Sequence, residues 1–193
     1  MNKRTAEESK KQILAAAGTI FAKQGYAHAS IRGIAKAAGI SVGGVYLYFK
    51  NKEELYLTMM HGWMDNLNDK TTAALRKIDD PSEALRIFIT LSIDNAQKHK
   101  EMIMLHEREL GFSFGINVKK HFFRERRQLI ARIVSKGIEA GVFRSCNAEE
   151  AAKVIFNIHR GFILSMVIDN EALFSAEECV DLVLNGLLRR NSE

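Results

Sequence analysis

Apolar residues recur at intervals of three and four along almost the whole chain, which is the period of an amphipathic helix. In the first predicted helix, Ile13, Ala17 and Phe21 fall on one face. No segment shows the strict apolar–polar alternation that is typical of a half-buried strand. The pattern therefore predicts an all-α chain of about nine helices.

Residues that cap helix N-termini stand at most of the predicted helix starts. Ser30 and Ser41 precede two short helices, and Asn51 precedes a long one with Glu54 at the capping-box position. The same signal recurs at residues 80–83, 147–150 and 175–178. Glycines mark three predicted helix ends, namely Gly25, Gly39 and Gly141.

Three short helices come first, and longer, more apolar helices follow. We therefore predict a small N-terminal domain over residues 1–52 and a helical C-terminal domain over residues 53–193. The fourth helix is predicted to run from the first domain into the second without a loop.

Residues 30–49 contain two short helices separated by the sequence Ala-Gly-Ile-Ser. A short turn with a glycine between two helices is typical of a helix-turn-helix motif. In that motif the second helix enters the DNA major groove with its N-terminal end first.

The charge distribution supports a polyanionic partner for the N-terminal domain. The chain has a net charge of +5, but residues 1–52 carry nine basic and two acidic side chains, which is a net charge of +7. The remainder is therefore slightly acidic, at −2. A basic domain attached to a nearly neutral body is expected to bind nucleic acid.

The sequence GISVGGVYLYFK, residues 39–50, fits that partner. Glycine lets the backbone come close to DNA, tyrosine hydroxyls can donate to phosphate oxygens, and lysine adds positive charge. The candidate DNA-binding residues in and beside this segment are Ser41, Val42, Gly43, Gly44, Tyr46, Leu47, Tyr48, Lys50 and Lys52.

The residues give little support to an enzyme, a metal site or a membrane protein. The sequence HERE at 106–109 is not the HExxH zinc motif, and no Glu-x-x-His pair is present. Cys146 and Cys179 form no CxxC motif and are expected to be small buried apolar residues. No apolar run approaches the roughly 20 residues that span a bilayer. We therefore predict a cytoplasmic protein without cofactor or metal.

The segment FAKQGYAHASIRGIAKAAGISVGGVYLYFKNKEEL resembles the N-terminal domain of the TetR family of bacterial transcriptional regulators. The resemblance runs from about Ile13 to Leu55. It implies that Ser30 and Arg32 lie at the phosphate-facing start of the second helix, that Ser41 to Tyr48 form the recognition helix, and that Tyr46 and Lys52 contact phosphate. The chain departs from the common family pattern at Gly33, Gly44 and Leu47, so the operator sequence cannot be transferred from relatives.

The last two predicted helices are apolar on more than one stripe, which indicates burial on several sides. Gly161 and Ser165 are small residues four positions apart, so another helix can approach closely there. The resemblance implies a four-helix bundle across a two-fold axis, and the alternative is an ordinary monomer core. The candidate dimer residues are Phe156, Gly161, Leu164, Ser165, Ile168, Val180, Leu184 and Leu187.

The middle helices are rich in methionine and aromatic residues, which can line an apolar cavity or simply pack in a core. His159 is among the polar groups that such a cavity could use. The candidate effector-binding residues are Met60, Trp63, Met64, Leu67, Asn95, Met102, His106, Phe112, Phe122 and Asn157. The basic segment at 119–136 can pair with an anionic ligand, but the composition favours a solvated helix face.

Together these features predict a ligand-responsive regulator, in the first instance a repressor. It would bind a palindromic DNA operator as a homodimer and be released by an apolar small-molecule effector, and we expect no membrane partner. The alternative is a lipid- or drug-binding helical protein without a DNA function. Release from DNA and promotion of DNA binding by the effector are both compatible with the residues.

Overall fold

The computed structural model describes residues 5–108, 116–168 and 175–188. Within these ranges the chain is all-helical, as the sequence predicts, with nine α-helices and no β-strand. In chain order the helices are α1 (Ala6–His28), α2 (Ile31–Ala38), α3 (Val42–Tyr46), α4 (Lys52–Leu75), α5 (Pro81–Lys98), α6 (Lys100–Arg108), α7 (Ile116–Glu139), α8 (Ala148–Ile168) and α9 (Ala176–Leu187).

The capping signals in the sequence correspond to real caps. Asp80 Oδ1 accepts a hydrogen bond from the backbone N–H of Ser82 at 3.0 Å, directly before α5. Ser175 Oγ accepts from the backbone N–H of Glu178, also at 3.0 Å, at the start of α9. Each cap satisfies a donor that would otherwise lack a partner in the first helical turn.

Two predicted helix ends differ from the structure. The third helix was predicted to reach Phe49, but α3 ends at Tyr46. Gly25 was predicted to end the first helix; it does break the helical geometry, at φ 75° and ψ 165°, but α1 resumes beyond it as far as His28. The sequence GFSFG at 111–115, whose two glycines predict a further helix break, lies outside the described residues.

The chain divides into two compact units, described separately below. Unit 1 comprises Met1–Asp65 and Glu101–Lys119, and unit 2 comprises Asn66–Lys100 and Lys120–Glu193. The division falls within α4. The sequence-based domain boundary at residues 52/53 stays a prediction.

Unit 1 has a small core beneath the helix-turn-helix. Ile13 and Phe21 of α1, Ile34 of α2 and Val45 of α3 are completely buried. The ring of Tyr56 in α4 packs edge-on against Phe21, with ring centroids 5.2 Å apart. Burying side chains of this size contributes about 1.5–3 kcal/mol each, and this fixes α3 on α1 and α2.

Unit 2 has a larger core, made chiefly by α5, α7, α8 and α9. Phe88 and Ile93 of α5, Ile130 of α7, Phe156 of α8 and Val180 of α9 belong to one buried cluster. Cys179 is buried in the same cluster, as predicted, whereas Cys146 is only half-buried.

No helix in the described part of the chain is long and apolar enough to cross a bilayer. The described residues also contain no group of three or more His, Cys, Asp or Glu side chains placed to hold a metal ion.

Candidate DNA interface and effector site

Both helices of the α2–α3 pair begin on a serine. Ser30 Oγ accepts from the backbone N–H of Gly33 at 3.1 Å, and Ser41 Oγ accepts from that of Gly44 at 3.0 Å. Gly39 ends α2 in the left-handed region, with φ 63°, which glycine adopts without steric cost. The short turn between the two caps therefore has helix-turn-helix geometry.

The exposed face of α3 and its flanks presents most of the predicted DNA-binding residues to solvent. Val45 is fully buried and anchors α3, whereas Tyr46 is 52% exposed and Leu47 is 84% exposed. An apolar side chain as exposed as Leu47 is suited to contact with a thymine methyl group. Tyr48 is half-buried, and the other exposed residues of the predicted set are Ser30, Arg32, Ser41, Val42, Gly43 and Lys50.

The two adjacent glycines of α3 have different surroundings. A Cβ at Gly44 would lie 2.6 Å from Ile40 Cγ2 and 3.2 Å from Ser41 Oγ, so a side chain there conflicts with the turn. A Cβ at Gly43 would meet nothing within 4 Å. Close packing against Ile40 therefore explains why position 44 is a glycine. At position 43 the glycine leaves the backbone of the first turn of α3 without a side chain over it.

Lys52 has a structural role besides its predicted phosphate contact. Its Nζ donates to the backbone carbonyls of Tyr26, Ala27 and Ala29, at 2.8, 3.3 and 3.0 Å. It also lies 4.4 Å from the centroid of the Tyr26 ring. The three donors of the ammonium group are thus taken by carbonyls at the end of α1, where a helix dipole favours a cation.

The outer surface of α8 and α9 carries an exposed apolar stripe. Val154 and Ile158 of α8 are 59% and 45% exposed, and Leu182 of α9 is 68% exposed. A groove of about 370 Å³ between the two helices is lined by these three side chains. On α8 the stripe continues at spacings of three and four through Gly161, Ser165 and Ile168, the period of a helix–helix seam.

This surface changes the predicted set of dimer residues. Phe156, Val180, Leu184 and Leu187 are buried in the core of unit 2, where they pack against residues of their own chain. Gly161 and Ile168 are exposed, and Leu164 and Ser165 are half-buried. Periodicity showed that both helices are apolar on several sides, but it did not show which side covers the chain's own core.

A buried arginine in unit 2 has no acidic partner among the residues that the structure describes. Arg126 of α7 is only 3% exposed, and no carboxylate of the described residues forms an ion pair with it. Its Nη1 donates to Thr71 Oγ1 at 3.2 Å, and its Nη2 donates to Ser92 Oγ. Burial lowers the pKa of Arg126 to about 10, so the guanidinium remains charged at neutral pH.

His159 of α8 lies in the same region and is 4% exposed. Neither of its ring nitrogens has a hydrogen-bond partner among the described residues. Its ring centroid is 5.9 Å from that of Phe88, and the Arg126 guanidinium lies 4.2 Å from the same Phe88 centroid. Burial, and secondarily the charge of Arg126, lower the pKa of His159 from 6.5 to about 3, so the imidazole is neutral.

The basic segment at 119–136 is therefore not simply a solvated face, because Lys119 and Arg126 within it are buried. The burial of Arg126 could have been inferred from its spacing to the apolar residues of α7. Arg126 lies on the same helical stripe as Phe122, Ile130 and Ile133, which places it on the apolar face of α7.

The effector-binding residues predicted in unit 1 enclose little space. Met60 and Met64 line a cavity of about 10 Å³, which is room for about one water molecule. Trp63 and Met102 are half-buried. Phe112 and the side chain of His106 lie outside the described residues.

Thr71, Ser92, Arg126 and His159 form the buried polar cluster of unit 2. One predicted effector residue, Phe122, lies beside it. The centroid of the Phe122 ring lies 5.9 Å from the Arg126 guanidinium. Two other predicted effector residues of unit 2, Leu67 and Asn95, are half-buried. Asn157 is a correction: it is exposed, and its Nδ2 donates to the Lys153 carbonyl at 2.9 Å. It faces outward because it lies on the opposite side of α8 from Phe156 and His159.

Comparison with known proteins agrees with the helix-turn-helix geometry. Residues 13–59 match the family model for bacterial regulatory proteins of the tetR family. Over 114 residues the chain is 34% identical to the HTH-type transcriptional regulator YuxN of Bacillus subtilis; the alignment covers 59% of this chain and 39% of YuxN. The chain belongs to the TetR family.

A longer alignment joins this TetR-family chain to the HTH-type transcriptional repressor KstR2 of Mycobacterium tuberculosis. The two are 25% identical over 136 residues, covering 69% of this chain and 68% of KstR2. TetR-family proteins are DNA-binding transcriptional regulators, so this chain is a regulator and not an enzyme. Family membership also excludes the alternative of a helical ligand-binding protein without a DNA function.

Solved structures share the fold over nearly the whole chain. The regulator FadR from Bacillus subtilis in complex with stearoyl-CoA has a TM-score of 0.77 and 21% identity, covering 91% of this chain and 95% of FadR. A transcriptional regulator from Saccharomonospora viridis in complex with choline has a TM-score of 0.82 and 19% identity, covering 95% of this chain and 100% of the other. At these identities the likeness is one of fold.

The structural role of Lys52 leads to a first prediction. We expect Lys52→Met to lower the free energy of unfolding by about 1–2 kcal/mol, because the α1 carbonyls lose a charged donor. Lys50→Met is the matched control, since the Lys50 side chain is exposed, and we expect a change below about 0.5 kcal/mol. Urea denaturation of both variants measures the difference, and equal stability of the two would show that the Lys52 contacts contribute nothing.

The buried imidazole leads to a second prediction, on pH dependence. The pKa of His159 is about 3 in the folded chain and about 6.5 in the unfolded chain. Between these values the unfolded state binds more protons, so the free energy of unfolding falls as the pH falls below about 6.5.

The pH effect is isolated by comparing the wild type with His159→Gln, whose amide does not titrate. Between about pH 7.5 and about pH 5, the wild type should lose about 1–2 kcal/mol more than the variant. Urea unfolding at the two pH values gives both losses, and the other histidines cancel in the comparison. Identical pH dependence in the two proteins would contradict a buried neutral His159.

Proposed function

We propose that this TetR-family regulator is a repressor that binds its operator as a homodimer and leaves DNA when a small molecule occupies unit 2. The observation that carries the proposal is that one chain contains three distinct candidate sites. The face around α3 is exposed and basic on its flanks, the outer face of α8 and α9 is exposed and apolar, and unit 2 contains a buried polar cluster.

The exposed stripe on α8 and α9 supports the homodimer. An apolar surface of this kind, on helices that already cover their own core, is typical of a protein–protein contact. Helix-turn-helix proteins read two half-sites about 34–36 Å apart, and a two-fold dimer supplies one recognition helix for each. The same stripe on both copies can therefore form a self-complementary interface.

Helix α4 supports a coupling between effector and DNA. It begins at Lys52, which holds the end of α1, and near its other end Thr71 accepts the hydrogen bond from Arg126. An effector changes DNA affinity only if it binds the two conformations of the dimer unequally. A ligand that displaces Arg126 from Thr71 would act directly on α4.

The names of relatives support repression, since KstR2 is a repressor. The ligands of the two solved structures, stearoyl-CoA and choline, show that the fold accommodates small molecules of very different chemistry. We therefore propose the effector response from the fold, and take the chemistry of the effector from this chain's own residues.

The test uses DNA from upstream of the protein's own gene. We expect the purified full-length chain to prefer this DNA to random DNA of equal length by about 1,000-fold or more, with an affinity that falls steeply as salt rises. Equal affinity for both DNAs would contradict a specific operator. A reporter under that promoter should be more active when the protein is absent, and lower activity would indicate an activator instead.

A further inference from the structure

We infer that the effector carries an anionic oxygen group, a carboxylate or a phosphate, which binds to Arg126 and His159 inside unit 2. The inference deepens the proposed function, and its biological meaning rests on the effector response proposed above. Its physical basis is the buried polar cluster alone.

The first argument is the uncompensated charge of Arg126. An unpaired buried charge is strongly unfavourable, and buried charges in proteins are normally paired with an opposite charge. Arg126 is 3% exposed, and within the described residues it meets two neutral hydroxyls and aromatic rings but no carboxylate. A bound anion would supply the missing partner.

The second argument is the donor inventory of the guanidinium. Arginine has five N–H donors in a planar fork that matches a carboxylate or a phosphate. The hydrogen bonds to Thr71 and Ser92 occupy two of them. Each of these hydroxyls also donates to a backbone carbonyl of its own helix, Thr71 to Leu67 and Ser92 to Phe88. The guanidinium is therefore fixed between α4 and α5 with donors still available.

The third argument is His159, which is independent of the charge. A neutral imidazole has one N–H donor and one acceptor, and buried groups of this kind usually have partners. Both nitrogens of His159 lack one among the described residues. His159 and Arg126 both pack on the ring of Phe88, and the charge of Arg126 contributes to the lowered pKa of His159, so the two groups are electrostatic neighbours.

The surroundings indicate that the rest of the ligand is apolar. Phe122 lies beside Arg126, and the ring of Phe123 lies 5.4 Å from that of Phe156. A ligand with an acidic head and an apolar body fits these neighbours. A cationic ligand does not, because it would add a second positive charge beside Arg126.

The probes are octanoate, dodecanoate and hexadecanoate, each compared with the alcohol, the alkyl phosphate and the alkyltrimethylammonium ion of the same chain length. Isothermal titration calorimetry on the full-length protein measures the affinities below the micellar concentration. We expect at least one carboxylate or phosphate to bind, and the matching alcohol and ammonium ion to bind roughly 10- to 100-fold more weakly, because they cannot form the charged hydrogen bonds.

Arg126→Met should remove that preference and weaken binding of the anionic probe by a similar roughly 10- to 100-fold. Arg132→Met, at an exposed position of the same helix, is the matched control and should bind like the wild type. Without ligand, Arg126→Met should melt at the same temperature as the wild type or higher, because replacing a buried charge by an apolar side chain is often stabilising. His159→Gln provides a second variant. It should weaken binding of the anionic probe while leaving binding of the alcohol unchanged.

Equal binding of carboxylate and alcohol, or failure of every anionic probe to bind, would overturn the inference. Unchanged anion binding in Arg126→Met would overturn it as well. These outcomes are separate from the proposed function, which is tested with DNA alone. A protein that binds the anion through Arg126 but shows no preference for its own upstream DNA supports the inference and contradicts the proposed repressor.

Discussion

Ile158→Glu should convert the protein from a dimer to a monomer. The wild type is expected to sediment at twice the chain mass of 21.8 kDa, and the variant at that mass. Ile158 lies in the middle of the exposed stripe on α8, and a two-fold interface would bring the new carboxylate close to its copy. We expect the glutamate to destabilise the dimer and not the single chain. The Ile158 side chain is 45% exposed in the single chain, so its replacement leaves the core of unit 2 intact.

The loss of the dimer should reduce operator affinity by about 100-fold or more, because the second half-site is then no longer bound within the same complex. Leu182→Glu on α9 should have the same effect, since both side chains line one groove. Ala73→Glu is the control, as it adds the same charge at an exposed position of α4. Analytical ultracentrifugation and gel-shift titration measure the two effects. A variant that stays dimeric with both glutamates would place the interface elsewhere.

The local features of this fold were accessible from sequence because they depend on neighbouring residues. Ser30 and Ser41 cap helices through bonds to residues three positions later, so their role follows from their place in the sequence. Gly39 ends α2 for a similarly local reason. The helical period of the apolar residues likewise predicts the all-α architecture, which the structure confirms.

The features that sequence did not show depend on distant residues. Lys52 bonds to carbonyls 23 to 26 positions earlier, a structural role that its place in the sequence did not show. Arg126 bonds to residues 34 and 55 positions earlier, and its place on the apolar stripe of α7 does not show which partners it meets there. Composition describes the segment around Arg126 as basic, and basic residues are usually solvated.

The surface that we propose for the dimer could be predicted from sequence only in part, for a related reason. Helices α8 and α9 are apolar on the side that covers the core and on the side that is exposed. The spacing of apolar residues identifies apolar stripes on a helix, but it does not show which stripe covers the core and which is exposed. Val180 and Leu184 of the predicted set are therefore buried in the chain's own core, whereas Ile158 and Leu182, which we propose as interface residues, are exposed.

Gly43→Glu should abolish specific DNA binding while leaving the fold intact. A Cβ at Gly43 would meet nothing within 4 Å, so the chain has space for the side chain. Replacing a helical glycine also favours the helix, by up to about 1 kcal/mol. On DNA, however, the new carboxylate would stand at the first turn of the recognition helix beside the phosphates, where like charge and bulk both oppose binding. We expect a loss of about 100-fold or more in operator affinity, as repulsion replaces a close backbone approach.

Gly62→Glu is a closely matched control for this change. Gly62 is also an exposed helical glycine of unit 1 whose added Cβ would meet nothing within 4 Å, so both variants change net charge and helix propensity alike. Gly62 lies in α4, outside the helix-turn-helix. Gel-shift titration should therefore show near-normal binding for Gly62→Glu, and thermal melting should show that both variants fold. Equal weakening in the two variants would mean that net charge, and not the position of Gly43, determines DNA affinity. A selective loss at Gly43 would show that the bare first turn of α3 is where the protein approaches DNA, and would leave Leu47, Val42 and Arg32 as the side chains with which to alter operator preference.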